Sequence, residues 1–139
     1  MPATRDLPTW LLGNAALRAH RILSDRLADA GARGYEYRIL EALSDATPLS
    51  QVDIGSRARL DKRDVAVTLT VLDDSGYVVR RPDPADARRN VVELTDAGRA
   101  RHEELASIVE DVQEHVLAPL DPVDRESFIA ALRLLQPLT

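Results

Sequence analysis

The chain has 139 residues, of which 45% are hydrophobic and 29% are charged, with a formal net charge of −5 and no cysteine. This length predicts a single domain over residues 1–139. The lack of cysteine excludes a disulfide framework, a thiolate metal site and a cysteine nucleophile, and it fits the reducing cytoplasm, where we expect the protein to act. No apolar run approaches the roughly 18 residues of a membrane-spanning helix, so we expect no membrane partner.

The acidic net charge hides an uneven distribution of basic residues. Residues 57–89 hold eight basic and six acidic side chains, whereas residues 90–139 hold four basic and ten acidic ones. Seventeen of the 18 basic residues are arginine, which suits paired hydrogen bonds to phosphate and guanine. The middle third is therefore the net positive part of an acidic chain, and a negatively charged partner is expected there.

The first part of the chain predicts two helices. Apolar residues recur at three- and four-residue steps over about residues 10–30, and Gly31 is placed to end that helix. A second helix is expected over about residues 34–45. Its inward face would hold Tyr35, Ile39, Leu40 and Leu43.

Two capped helices follow in close succession. Ser50 is a favourable N-cap for a short helix over 51–58, and Asp61 is a second N-cap, for a helix over 61–75. The inward face of the second helix would hold Val65, Leu69 and Leu72. The tight link between the two helices, RARL, indicates a helix-turn-helix.

Two short runs rich in β-branched residues, YVVRR and NVVEL, predict two strands. The segment PDPADAR separates them, which predicts a hairpin with a long tip and not a tight turn. A helix-turn-helix followed by such a hairpin is a winged helix, in which the hairpin is the wing.

Two further helices complete the pattern. Thr95 is placed to cap a long helix over about 96–117, which Pro119 ends. Asp121 and Pro122 have the order expected at the start of a last helix. The predicted fold class is mainly α with a small β-hairpin: a winged helix-turn-helix with additional helices at both ends.

The chain resembles the MarR family of transcription regulators. The segments that carry the resemblance are LSQVDIGSRARLDKRDV and LDDSGYVVRRPDPADARRNVVELTDAG. The wing motif of the family, running into L-T-x-A-G, is matched by Asp83, Asp86, Arg88, Leu94, Thr95, Ala97 and Gly98. The resemblance implies a homodimer that binds a pseudo-palindromic site in double-stranded DNA. Residues 10–32 and 96–137 would form the dimerisation helices, and residues 34–94 would form the winged-helix DNA-binding lobe.

The recognition helix departs from the family pattern. Many relatives have a threonine and an arginine in its first two turns, where this chain has Ala66 and Val67. The departure puts the usual operator preference of the family in doubt. It shifts the expected base and phosphate contacts to Lys62, Arg63, Asp64 and Thr68.

The remaining candidates for DNA contact lie on the supporting helix and the wing. Helix 51–58 would cross the DNA backbone, so Ser50 and Gln51 at its start are candidates for phosphate contact. Arg88 is expected to enter the minor groove, with Asp86 holding its direction. Arg80, Arg81 and Arg89 are candidates for phosphate contacts. The alternative is that the helix starts are simply capped and that the hairpin charges protect a solvated sheet edge.

A small aromatic ligand is a further candidate partner, because MarR-like dimers often bind such molecules between the DNA-binding lobe and the dimerisation helices. The candidate ligand residues are Trp10, His20, Tyr35, Tyr37 and Arg38. Alternatively, Tyr35 belongs to the core and Trp10 packs in the dimer interface. His20, His102 and His115 show no metal-ligand spacing, so we expect no metal site.

No nucleotide-binding, Ser-hydrolase or other catalytic motif occurs, so we expect neither an enzyme nor a cofactor. The predicted function is a DNA-binding transcription regulator, a repressor, that a small-molecule ligand could release. The alternative is a winged-helix module that binds protein and has no sequence-specific affinity for DNA.

Overall fold

The computed structural model describes Met1 and residues 3–137. Pro2, Leu138 and Thr139, which belong to the predicted domain 1–139, lie outside the described residues. Within that part, a 3-10 turn at Thr4–Asp6 precedes the helices and strands. These are α1 Pro8–Asp29, α2 Glu36–Ala42, α3 Gln51–Ala58, α4 Lys62–Asp74, β1 Val78–Asp83, β2 Asp86–Leu94, α5 Asp96–Leu117 and α6 Pro122–Leu134. The fold is mainly α with a small β-hairpin, as predicted.

The four predicted N-caps all form, and they explain where α3, α4, α5 and α6 begin. In each, the side-chain oxygen accepts the backbone N–H three residues later, which satisfies a donor that the helix cannot pair internally. The donor-acceptor distances are 3.2 Å for Ser50 and Asp53, 2.8 Å for Asp61 and Asp64, 3.0 Å for Thr95 and Gly98, and 2.8 Å for Asp121 and Asp124.

The second helix is shorter than the predicted span of 34–45. Gly34 has a φ of 60°, in the left-handed region, so the helix cannot extend back through it. At the other end, Ala46 has a φ of 65°, and the Ser44 hydroxyl donates to the Glu41 carbonyl at 2.7 Å. Tyr35, predicted on the inward face, is 38% exposed because it precedes the first helical turn.

The link between α3 and α4 is a tight turn through Arg59, which has a φ of 55°. The Leu60 N–H donates to the Gly55 carbonyl at 3.0 Å, closing the end of α3. A Cβ at Gly55 would lie 3.1 Å from the Leu60 carbonyl oxygen, so the turn passes close to the helix at a position without a side chain. From α2, the Arg38 guanidinium donates to the Arg59 carbonyl at 2.9 Å, which holds the turn from outside.

The wing differs from the predicted long-tipped hairpin. The antiparallel pairing continues to Asp83 opposite Asp86, so Pro84 and Ala85 alone form the turn. The register then shifts: Pro82 pairs with Asn90, which leaves residues 87–89 as a bulge on β2. The prediction of a long tip was wrong because the intervening residues extend the strands and form a bulge.

A third short segment joins the hairpin, and the sequence analysis did not predict it. Leu49 forms an isolated antiparallel bridge with Val92, with N–H to carbonyl distances of 3.0 and 2.7 Å in the two directions. This bridge ties the start of α3 to the base of the wing.

The core lies in the lobe formed by α2, α3, α4 and the hairpin, with Leu105 of α5 completing it. The predicted inward residues of α4 are all buried. Gly98 marks the close contact between α5 and the lobe, because a Cβ there would lie 1.9 Å from the Tyr77 carbonyl oxygen. By contrast, α1 and α6 bury no residue fully. Their exposed large apolar side chains include Trp10, Leu11, Leu12, Leu17, Val123, Phe128, Ile129 and Leu134.

Candidate nucleic-acid interface

The N-terminus of α4 presents the basic residues predicted for a groove. Lys62 and Arg63 are exposed, and neither forms an ion pair within the described residues. Asp64 is half-buried, and its backbone N–H is bound by the Asp61 carboxylate. The exposed stripe continues along the helix through Ala66, Val67 and Thr70.

Thr68 does not belong to that stripe. It is only 8% exposed, and it lines a cavity on the inner side of α4. Its position follows from helix geometry, because Thr68 is adjacent to the buried Leu69 and one turn from the buried Val65 and Leu72. The burial contradicts the expectation that Thr68 contacts DNA. The exposed threonine on this face of α4 is Thr70, two residues after Thr68, and it was not among the predicted contacts.

At the start of α3, the two candidates differ in accessibility. Ser50 is buried and its hydroxyl oxygen accepts the Asp53 N–H, so the predicted capping role is confirmed. Gln51 is exposed. Gln51 is therefore the side chain that this helix end offers to a phosphate, and the burial of Ser50 argues against its hydroxyl making that contact.

The wing tip is organised by its two aspartates. The Asp83 carboxylate accepts the Ala85 N–H at 2.9 Å, which closes the two-residue turn. The Asp86 carboxylate accepts both the backbone N–H of Arg88 at 3.1 Å and its guanidinium Nε at 3.2 Å. These two bonds lower the pKa of Asp86, the backbone bond contributing most. The predicted pairing of Asp86 with Arg88 is present, and the Arg88 side chain is nevertheless 92% exposed.

The other three arginines of the hairpin are not equivalent. Arg81 pairs with Glu93 across the strands at 3.1 Å. Arg80 is half-buried and its Nε lies 3.8 Å from the Asp73 carboxylate of α4, a position that fits bracing the wing against the helix better than binding phosphate. Arg89, in the bulge beside Arg88, is exposed and forms no ion pair within the described part of the chain.

A cavity of about 580 Å³ lies behind α4, between that helix, the turn after α1 and the start of α5. The α4 residues that line it include the exposed Val67 and Val71 as well as the buried Thr68. Tyr35, Glu36, Tyr77 and Arg101 contribute polar groups to its lining. Arg101 donates to the Ala30 carbonyl at 2.8 Å and lies 5.8 Å from the centre of the Tyr77 ring. Its guanidinium also pairs with the Glu104 carboxylate at 3.3 Å, and its buried Nε has no hydrogen-bond partner among the residues that the structure describes. No local sequence pattern distinguishes Arg101 from the other arginine near the start of this long helix, Arg99, so only the structure identifies it.

The predicted ligand residues do not converge on this cavity. Only Tyr35 lines it; Trp10 and His20 are exposed on α1. The Tyr37 hydroxyl donates to the Glu41 carboxylate at 3.2 Å, and burial together with that carboxylate raises the pKa of Tyr37 to about 12. Arg38 is held by the Arg59 carbonyl and lies 5.5 Å from the Tyr35 ring centre. Trp10, His20, Tyr37 and Arg38 therefore do not line the cavity behind α4, and a ligand site formed by these four residues stays a prediction.

A cluster around His102 connects two helices. His102 of α5 binds the Glu41 carboxylate through Nε2 and stacks on Tyr37, with ring centres 5.9 Å apart. Among Met1 and residues 3–137, no group of three or more His, Asp or Glu side chains is placed to hold a metal ion. The Glu41–Tyr37–His102 cluster instead joins α2 of the lobe to α5.

Comparison with known proteins agrees with this architecture. A model of the MarR family matches residues 31–89. The transcriptional regulator HosA of Escherichia coli O111:H- is 31% identical over 98 residues, which make up 70% of this chain and 73% of HosA. The chain belongs to the MarR family. The HTH-type transcriptional regulator YdgJ of Bacillus subtilis strain 168 is 33% identical over 94 residues, 68% of this chain, and the chain spans 57% of the length of YdgJ.

MarR-family proteins are transcription regulators and not enzymes, and this chain has their DNA-binding fold. The structure of BpsR from Bordetella bronchiseptica, whose DNA binding is regulated by 6-hydroxynicotinic acid, superposes with a TM-score of 0.86 at 25% identity. The superposition covers 100% of this chain and 99% of BpsR. The described helices include none with the length and apolar character needed to cross a membrane.

Proposed function

We propose that this MarR-family regulator is a homodimeric repressor that acts in the cytoplasm and binds a pseudo-palindromic operator. The geometry of Arg88 and Asp86 at the wing tip is the main support for this proposal. An arginine that is 92% exposed is held in one direction by an aspartate that accepts two of its hydrogen bonds. A fixed and exposed guanidinium fits a narrow minor groove, where the negative potential is enhanced.

The homodimer is supported by the exposed apolar faces of α1 and α6. Trp10 is 50% exposed, and Leu17, Phe128 and Ile129 are exposed on the same two helices. A monomeric protein rarely leaves so large an apolar surface in water, because each Å² costs about 25 cal/mol when it is not buried. A second copy of the chain offers the same two faces, and a symmetric dimer would cover them.

The dimer sets the geometry of DNA binding. Two copies of α4 would enter successive major grooves about 34–36 Å apart, with Lys62 and Arg63 at the bases or phosphates. The two wings would reach the flanking minor grooves. Residues 90–139 hold ten acidic side chains, most of them on α5 and α6. In the proposed complex these helices face away from the DNA, so the net charge of −5 does not prevent binding. A dimer on an operator that overlaps a promoter excludes RNA polymerase, so repression requires no further contact.

We also propose that a small ligand releases the protein from its operator. The cavity behind α4 has Tyr35 and Tyr77 for an aromatic ring and Arg101 for an anionic group. It is lined on one side by Thr68 of α4, so an occupant would contact the helix that enters the groove. BpsR, whose DNA binding responds to an aromatic acid, supports this assignment by similarity of fold.

The test is a band-shift assay with fragments selected from the source genome, run at about 50 and 200 mM salt. We expect a bound fragment whose affinity falls by about 10³- to 10⁵-fold between the two salt concentrations. Light scattering on the same sample should give the mass of two chains. If no fragment binds above background at low salt, the proposed DNA-binding function is wrong, and a winged-helix module that binds protein becomes the alternative to test.

A further inference from the structure

The outward face of α4 changes character after its first turn. Lys62 and Arg63 are exposed at the start, but the next exposed residues are Ala66, Val67 and Thr70. Val67 is 61% exposed, although valine usually lies inside a folded protein. The Thr70 hydroxyl donates to the Ala66 carbonyl at 3.1 Å, so its donor is already used within the helix. This stretch therefore has little capacity to read a base by hydrogen bonds.

The charges around this apolar stretch indicate what covers it. Lys62 and Arg63 precede it on the helix, and Arg88 and Arg89 are exposed on the wing of the same lobe. Lys62 and Arg63 would reach phosphates or base edges of the major groove, and Arg88 would reach the flanking minor groove, so the apolar stretch of α4 would face base edges of the major groove. At the far end of α4, Asp74 is exposed and would repel the phosphate backbone, whereas the neighbouring Asp73 lies 3.8 Å from the Arg80 guanidinium. The repulsion from Asp74 favours close approach by the N-terminal half of the helix.

We propose that Ala66 and Val67 select thymine, through contact of their side chains with thymine 5-methyl groups in the major groove. This inference rests on the proposed DNA-binding function. Thymine is the base that presents a methyl group in that groove, and apolar side chains recognise it by direct contact. Each half-site of the operator should therefore contain thymine in the base pairs that face the second turn of α4.

The methyl group can be removed without changing base pairing. Duplexes that bind the protein are first selected from a random-sequence pool, and the consensus is synthesised with deoxyuridine in place of thymine at one position at a time. We expect a loss of about fourfold in affinity at one or two positions per half-site, as for one methyl group removed from an apolar contact.

Two variants assign the effect to a side chain. Val67→Ala should bind the thymine and deoxyuridine duplexes equally at the sensitive position. Val71→Ala is the matched control, because it removes the same atoms from another exposed valine one turn further along α4. That variant should keep the wild-type preference. Both positions are exposed, so thermal midpoints should match the wild type.

The outcomes separate this inference from the function it rests on. If no position is sensitive to deoxyuridine, or if Val67→Ala keeps the wild-type sensitivity, methyl recognition by this face is wrong while DNA binding stands. If the random pool yields no bound duplex, the DNA-binding function itself fails, and thymine recognition fails with it.

Discussion

The wing and the recognition helix face the same proposed partner with opposite chemistry. The wing tip carries two exposed arginines in a bulge, one of them fixed by Asp86. Beyond Lys62 and Arg63, the exposed residues in the second and third turns of α4 are uncharged: Ala66, Val67, Thr70 and Val71. Both elements are attached to one rigid core, since β1 and α4 both contribute to the same buried cluster.

This difference indicates a division of work between the two elements. A charged wing supplies affinity that depends on phosphates and on groove width, and it is sensitive to salt. An apolar helix face supplies little affinity for phosphates and distinguishes bases by shape and methyl groups. In this chain, therefore, we expect wing substitutions to change how tightly DNA is bound, and α4 substitutions to change which DNA is bound.

Gly98→Ala should have the largest effect, because it disturbs the packing of α5 against the lobe that carries both α4 and the wing. The added Cβ would lie 1.9 Å from the Tyr77 carbonyl oxygen, between α4 and β1, so α5 must move away. We expect a loss of about 3 kcal/mol in the free energy of unfolding, measured by urea denaturation. Gly13→Ala is the control, since no atom of the described residues lies within 4 Å of its added Cβ; it should not destabilise the protein and should gain up to about 1 kcal/mol from helix propensity. Equal stability of the two variants would contradict the close contact at Gly98.

Arg88→Ala tests the wing alone. The loss of a charge-assisted contact is expected to cost about 1.5–3 kcal/mol for each wing, roughly 10- to 150-fold in affinity per wing, and both wings of the dimer carry the substitution. The loss should be similar for all sequences that share the same groove width, and the dimer mass and thermal midpoint should stay unchanged. Arg81→Ala, which removes an arginine paired with Glu93, is the matched control. A loss as large in Arg81→Ala would mean that total charge matters and the fixed side chain does not.

Arg63→Ala tests the helix alone, with Lys62→Ala beside it. If either side chain contacts a base, we expect a loss of about 1–3 kcal/mol confined to one base-pair position. The measurement is the affinity for single-substituted operators. A loss spread equally over all sequences would assign that residue to phosphate and would weaken the distinction between helix and wing.

Substitutions at Asp86 should have the smallest effect. Asp86→Asn keeps an oxygen that can accept the Arg88 N–H, whereas Asp86→Ala removes it, so alanine should weaken DNA binding more, by less than about fivefold. Because folding lowers the pKa of Asp86, the ionised pair is complete above the ordinary value near 4 and is lost as the pH falls through the lowered value. A carboxyl titration by NMR that shows an ordinary pKa for Asp86 would contradict the pairing.

Local sequence signals predicted much of the fold. The caps Ser50, Asp61, Thr95 and Asp121 act within three residues of themselves, so their role can be read without knowledge of the rest of the chain. The pairing of Asp86 with Arg88 is local in the same way. Errors arose where neighbours in space decide: the bulge in β2, the bridge between Leu49 and Val92, and the inward position of Thr68.

The sequence by itself determined the winged helix-turn-helix, the helix starts and the arginines of the wing, because these depend on periodicity and on short-range hydrogen bonds. The tertiary structure alone decided which of those side chains remain available. It buried Thr68 and Ser50, turned Arg80 toward Asp73 and left Arg88, Arg89 and Val67 exposed. It also brought Arg101 to the cavity behind α4, beside the Ala30 carbonyl 71 residues away in the chain. Exposure and long-range contact depend on how helices pack on one another, and no local pattern records that packing.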